Sequence, residues 1–334
     1  MREIVEVGFS RLHGELDATK GENHELKQHN NELKKELWNH QRIALRHLPT
    51  DDLSDASVHD EFVRLRESLS TWVEEFPDVS DGFLDSFQSA MGDIIHRSVG
   101  YGMSKSFPEG PVGVQSELLT EVSFGYIWKR LFDVLTPGPS RDNALLTELR
   151  DKMSLLTPRK GLLHLLDYMG AINGWRSDTV RAYVSLESYK SSVDDQCIQM
   201  VSDLRNFFAR FKFERTVNWE NKQNRLMKEI LTPAARLATQ LSCSLNRYRW
   251  EWYENERYFT RRVVRKSHLG ILTVLDARTH NKVSTGKFEC LSPAAPIGKL
   301  LVVIYPALFR CGDGKHDEIL IEKGVILIRA NDDL

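Results

Sequence analysis

Leu300-Leu301-Val302-Val303-Ile304-Tyr305-Pro306-Ala307-Leu308-Phe309 is the longest apolar run in a chain of 334 residues. Its ten residues are half of the ~20 that a membrane-crossing helix needs, and Pro306 interrupts it. At this length, Val, Ile and aromatic side chains favour a pleated strand over a helix. The neighbouring runs Ile271–Leu275, Lys287–Leu291 and Ile319–Ile328 are also short and largely apolar. Turn-formers separate them at Asn281-Lys282, at Ser292–Pro296 and at Cys311-Gly312-Asp313-Gly314-Lys315. Asp313-Gly314 between two apolar runs is a hairpin signal, because glycine accepts positive φ. The spacing predicts three or four antiparallel strands over 268–334.

Upstream of His268 the apolar period is helical. Val58, Phe62, Leu65, Leu69, Trp72, Val73 and Phe76 recur in steps of three and four before Pro77, and the Thr/Asp/Ser cluster at 50–55 offers caps for that helix. Further helices are expected at 83–95, 114–135, 142–156, 160–172 and 177–190, with Asn173-Gly174 as a break. Val193–Phe213 and Trp219–Lys266 read as longer helices, with Pro233 starting or kinking a segment of the latter.

The N-terminal 46 residues carry a heptad. Val5, Leu12, Thr19, Leu26, Leu33 and His40 fall at d, and Phe9, Leu16, Asn23, Asn30, Leu37 and Ala44 at a. Asn at a buries its amide against a partner Asn, which favours a parallel, in-register dimer. Glu15 and Glu22 at g meet Lys20 and Lys27 at the following e positions across such an interface. No basic zipper is expected from the residues given, since only Arg2 and Arg11 precede Leu12, offset by Glu3 and Glu6. His24–His29 is one residue too long for the zinc signature HExxH.

Together these patterns predict a mainly α protein. Its parts are an N-terminal parallel coiled coil (1–46), an all-α multi-helix body (47–267) and a small antiparallel β-rich segment (268–334) packed on that body.

The net charge of −2 excludes a globally basic nucleic-acid binder, but it hides an asymmetry. Residues 46–125 hold 15 acidic and 5 basic side chains, and residues 205–266 hold 6 acidic and 15 basic. Either the two segments neutralise each other or the basic one meets an external polyanion. Arg247-Tyr248-Arg249-Trp250 interleaves cations with aromatics, a pattern suited to phosphate contact and base stacking. Arg261-Arg262-Val263-Val264-Arg265-Lys266 has the composition of a nuclear-import signal.

Catalytic templates are absent: no GxxxxGK[ST], no GxGxxG and no GxSxG. His164 sits in an apolar helical run, and Asp194-Asp195 before Cys197 reads as an acid-rich helix start. The four cysteines, Cys197, Cys243, Cys290 and Cys311, form no CxxC pair. No catalytic, cofactor-binding or metal residues are assigned and no cofactor is expected. Without an apolar leader or a membrane span, an intracellular protein, cytoplasmic or nuclear, is expected.

The heptad rod, the Leu48-Pro49-Thr50-Asp51-Asp52 junction, the Phe62…Trp72-Val73 helix and Ile304-Tyr305-Pro306-Ala307-Leu308 resemble a group of coiled-coil-containing proteins of filamentous fungi. The resemblance spans most of the chain and implies the three-part architecture. That group has no assigned activity and no catalytic residues to carry over.

The expected function is a non-enzymatic, self-associating interaction protein. Leu12, Leu16, Asn23, Leu26, Asn30, Leu33 and Leu37 would form a homodimer, and the body would present a surface to a protein partner. One alternative is a dimeric nucleic-acid-associated regulator using Arg247, Arg249, Arg261, Arg262, Arg265 and Lys266. The other is an enzyme without a recognisable motif.

Overall fold

The computed structural model describes residues 21–23, 26–34, 53–77, 87, 115–134, 137, 144, 147–148, 162–211, 217–253, 263–311 and 318–331. The chain divides into two units, Met1–Asp52 and Leu53–Leu334. In the first unit, residues 21–23 and 26–34 are helical.

The second unit is mixed α/β. Helix α1 (Asp55–Glu74) starts where the Ser54 hydroxyl accepts from the Ser57 N–H at 3.1 Å, as the cap cluster predicts. Its stripe of Val58, Phe62, Leu65, Leu69, Trp72 and Val73 is buried. Next come α2 (Gln115–Leu131), α3 (Leu162–Val184), α4 (Glu187–Ala209), α5 (Trp219–Arg225) and α6 (Thr232–Cys243). Helix α3 runs unbroken through Asn173-Gly174, where a break was expected. Between α5 and α6, Leu226–Leu231 forms a π turn immediately before Pro233. Proline donates no N–H and crowds the carbonyl four residues back, that of Glu229; the wider turn accommodates it.

The expectation of an all-α body does not hold. The helix expected to reach Lys266 ends at Cys243, and β1 (Arg247–Glu251) and β2 (Val263–Arg265) follow within that span. Then come β3 (Leu272–Asp276), β4 (Pro296–Tyr305), β5 (Ala307–Cys311), β6 (Ile319–Glu322) and β7 (Gly324–Ala330). They build two sheets, β1-β5-β6 and β2-β4-β7-β3. The sheets are not wholly antiparallel, because β3 runs parallel to β7. The segment at 287–291 is not a strand either; Thr285–Phe288 is a 3₁₀ turn.

The apolar run quoted at the outset is where the sheets meet. Pro306, which cannot donate to a ladder, stands between β4 in one sheet and β5 in the other. Across from it the chain makes the same change of sheet between β6 and β7. Pairs such as Tyr305↔Val325 and Leu308↔Glu322 therefore belong to one bent hairpin shared by both sheets. The turn at 312–317, with Asp313-Gly314, lies outside the described residues, as do, apart from 87, 144 and 147–148, the helices expected at 83–95 and 142–156. Strands and helices share one apolar core that runs from Val58 and Phe62 to Leu308 and Ile328.

Candidate functional site

Of the residues expected to form the dimer seam, Asn23, Leu26, Asn30 and Leu33 are described. All four lie on helix and all are exposed, Leu26 by 66% and Leu33 by 50%. A helix places positions three and four apart on one face, so the four make a single stripe. Glu22, Lys27 and Lys34 are also exposed on helical residues. Leu12, Leu16 and Leu37 lie outside the described residues.

Of the six basic residues expected to meet a polyanion, Arg247, Arg249, Arg265 and Lys266 are described. Arg249 is ion-paired with Glu251 and with Glu318 (2.7 Å), and its guanidinium lies 4.8 Å from the Phe309 ring centroid. The Lys266 ammonium donates to the carbonyls of Glu289 (2.9 Å) and Leu291 (2.7 Å). Arg247 and Arg265 are exposed, but they lie on strands of different sheets. Arg261 and Arg262 lie outside the described residues. The aromatics interleaved with these arginines belong to the core. Trp250 packs edge-on against Phe62 at 5.0 Å, and Trp252 against Trp128 at 5.8 Å.

Part of the charge asymmetry is neutralised internally. Glu75, the residue that ends α1, pairs with Lys222 (2.7 Å) and Arg225 of α5, and Glu61 of α1 lies 3.8 Å from Arg236 of α6. The hydrogen bond from Arg225 is the main influence holding the Glu75 carboxyl below its usual range, against the opposing effect of burial. Lys222 is almost fully buried, 4.5 Å from the Phe76 ring centroid, and burial pulls its pKa down.

A second polar cluster clamps the hairpin corner to α1. The Tyr305 hydroxyl donates to the Arg66 carbonyl (3.0 Å), which leaves it to accept from the Ser70 hydroxyl (2.8 Å). The Arg66 guanidinium pairs with Glu322 (2.7 Å) and lies 4.9 Å from the Tyr305 ring centroid. Burial drives the Tyr305 phenol pKa well up, so it acts as a neutral donor.

These two clusters were missed by sequence reading. Their partners are 150 and 256 residues apart, and charged residues on a mostly apolar helix carry no local signal of their partner. The remaining sequence candidates behave as structure. The Cys197 thiol is buried, and that burial pushes its pKa up to about 11, which opposes thiolate chemistry. Asp194 and Asp195 are exposed along α4. The helical backbone at His164 is described, but not its side chain. Among the described residues no group of three or more His, Cys, Asp or Glu could hold a metal ion, and no helix is long and apolar enough to cross a membrane.

Among the described residues, Asn23, Leu26, Asn30 and Leu33 remain exposed on helix. Comparison of the chain with family models, with curated proteins and with solved structures gives no match.

Proposed function

We propose that this protein acts by association rather than catalysis. Two copies join through the N-terminal heptads as a parallel, in-register coiled coil, and the α/β unit is what the dimer presents to a protein partner. The observation that carries the reading is the exposure of Leu26 and Leu33, one heptad apart on helical residues, with Asn23 and Asn30 at the seam position that precedes each. Removing a leucine side chain from water is worth about 2 kcal/mol, so a helix that leaves this stripe wet gains by pairing. A second copy is the occupant because the stripe is self-complementary. Asn meets Asn at a, and Glu22 at g meets Lys27 at e of the other copy.

The test is light scattering behind size exclusion on the full chain, on a version starting at Leu48 and on Leu26→Pro/Leu33→Pro. Proline in mid-helix removes a donor and clashes with the preceding turn. A dimeric full chain with a folded, monomeric truncation and a monomeric double mutant is expected. A monomeric full chain, or a double mutant that stays dimeric, would refute the proposal.

A further inference from the structure

A cavity of about 460 Å³ lies beside β3. Its position follows from the strand pairing. The Ala277 N–H donates to the Ile328 carbonyl (2.9 Å) and the Gly324 N–H to the Ile271 carbonyl (3.2 Å). In a parallel ladder the odd-numbered residues of β3 therefore turn their polar groups toward β7, and the even-numbered residues turn theirs outward.

Residues 281–283 cover only the later half of that outward edge. The Val283 N–H donates to the Val274 carbonyl (2.8 Å), and the Asp276 N–H to the Asn281 carbonyl (3.1 Å). The chain then turns away into the 3₁₀ turn that opens at Thr285. Among the described residues, the N–H and carbonyl of Leu272 and the N–H of Val274 have no hydrogen-bond partner. Leu272 and Val274 both line the cavity. Backbone groups left so in a nearly buried strand are rare and call for a partner.

The rest of the lining adds charge and apolar surface. Leu269 and Val283 contribute aliphatic walls, and Thr273 and Ser284 line the same space. Lys282 is exposed, and the Lys323 ammonium donates to the Leu269 carbonyl at 2.8 Å. Neither lysine has a carboxylate partner among the described residues, and no acidic residue lines the cavity. Two uncompensated cations beside unpaired N–H groups favour an anion.

We propose that this cavity binds a small N-acylated aliphatic amino acid. Its carboxylate accepts from Lys282 and from an outward backbone N–H, its amide N–H donates to the Leu272 carbonyl, and its side chain lies against Leu269 and Val283. The volume suits a small molecule. Val283 already stands opposite Val274, so an extended peptide pairing along β3 would run into it.

The test is calorimetric titration of the full chain with N-acetyl-L-leucine, with its uncharged amide N-acetyl-L-leucinamide, and with an N-acetylated tetrapeptide ending in leucine. The free acid is expected to bind about tenfold or more tightly than the amide and more tightly than the tetrapeptide, because it alone supplies a charge-assisted bond in a space of this size. Lys282→Gln should lose about the same factor, and Ser284→Trp should block the cavity; both positions are exposed, so the fold is kept. Slowed amide exchange at Leu272 and Val274 on binding is also expected. No heat at millimolar N-acetyl-L-leucine, equal binding of acid and amide, unchanged binding in both variants, or a tighter tetrapeptide would each overturn the proposal.

Discussion

Trp72 and Lys222 exchange hydrogen bonds. The indole N–H of Trp72 donates to the Lys222 carbonyl at 3.0 Å, and the Lys222 ammonium donates to the Trp72 carbonyl at 2.7 Å. The end of α1 and the start of α5 are locked by two residues that each give and receive. The ammonium is further held by Glu75 and by the faces of Phe76 and Trp72. Trp72, Phe76 and Lys222 are buried and Glu75 is exposed, so the two exchanged bonds lack a competing solvent partner while the ion pair does not.

Deleting either half should therefore cost more than a surface contact. Lys222→Ala leaves the Trp72 carbonyl without its donor and strips Glu75 of one of two cations, an expected loss of about 3 kcal/mol. Trp72→Phe keeps an aromatic ring but removes the indole donor, leaving the Lys222 carbonyl with the Leu226 N–H alone, an expected loss of about 1 kcal/mol. The double mutant should lose less than the sum, because the two changes dismantle one unit. Urea unfolding of the three variants measures this. Strict additivity would mean that the exchange is not coupled.

Glu75 gives the protein an acid limit. Its carboxyl is held below the ordinary value of 4.5, chiefly by Arg225. The folded state therefore binds a proton less readily than the unfolded chain. The stabilisation is complete above about pH 4.5 and is lost as the pH falls through the native pKa. Glu75→Gln should be less stable at neutral pH and should show a shallower decline below pH 4.5. Parallel pH-unfolding curves for the two proteins would count against this role.

His268 acts at higher pH in the same direction. Its Nδ1 accepts from the Arg265 N–H at 3.1 Å, and burial, then the nearby Arg265 charge, pulls its pKa below the ordinary 6.5. Above about pH 6.5 both states are neutral. Below it the unfolded chain takes up a proton that the native imidazole resists, so stability falls until the native pKa is passed. His268→Asn keeps an acceptor and should flatten stability between about pH 6.5 and 5. The urea midpoint across that range is the measurement.

Gly324 holds the hairpin corner together by its lack of a side chain. A Cβ there would meet Leu272 Cδ2 at 3.0 Å, the Ala307 nitrogen at 3.1 Å and the Tyr305 carbonyl oxygen at 3.2 Å. Two of these are backbone atoms, and they cannot give way as a flexible side chain does. Gly324→Ala is expected to cost about 1–3 kcal/mol. A melting temperature at or above that of the parent protein would show that the corner has slack.

The seam asparagines should govern how many chains associate. Under the proposed dimer, Asn23→Leu/Asn30→Leu exchanges buried amides for apolar surface. The assembly should become more stable but no longer uniform, with trimers or tetramers appearing beside dimers. Sedimentation velocity separates these species. A uniform dimer would show that the asparagines do not set the number.

The sequence made parts of this legible and hid others for physical reasons. Helix α1 could be read because cap, stripe and stop agree within about twenty residues. The failure at 247–251 is more instructive. Arg247-Tyr248-Arg249-Trp250-Glu251-Trp252 alternates polar and aromatic residues with a period of two, which is a strand signal. Tyr248 and Trp252 are also four apart, however, and the helical phase of the preceding segment extended into them. At Asn173-Gly174 the opposite happened. Tertiary context carried a helix across a local breaker whose cost is about 1 kcal/mol. Lys287–Leu291 has the apolar content of a strand but lacks a ladder partner among the described residues. Nothing local marked the cavity beside β3, because it depends on where the 281–283 segment leaves the sheet edge.

The bent hairpin also sets a schedule for synthesis. Phe62 and Arg66 emerge early, yet the ring stacked on Arg66 belongs to Tyr305 and its carboxylate partner is Glu322. Until those residues leave the ribosome, part of α1 has no surface to lie against, and both sheets lack the hairpin that they share. Neither sheet can close before the other. The nascent chain therefore carries the Arg66 end of α1 without its final partners until the last strands are made, which is the interval in which chaperone binding or misassociation would act on it.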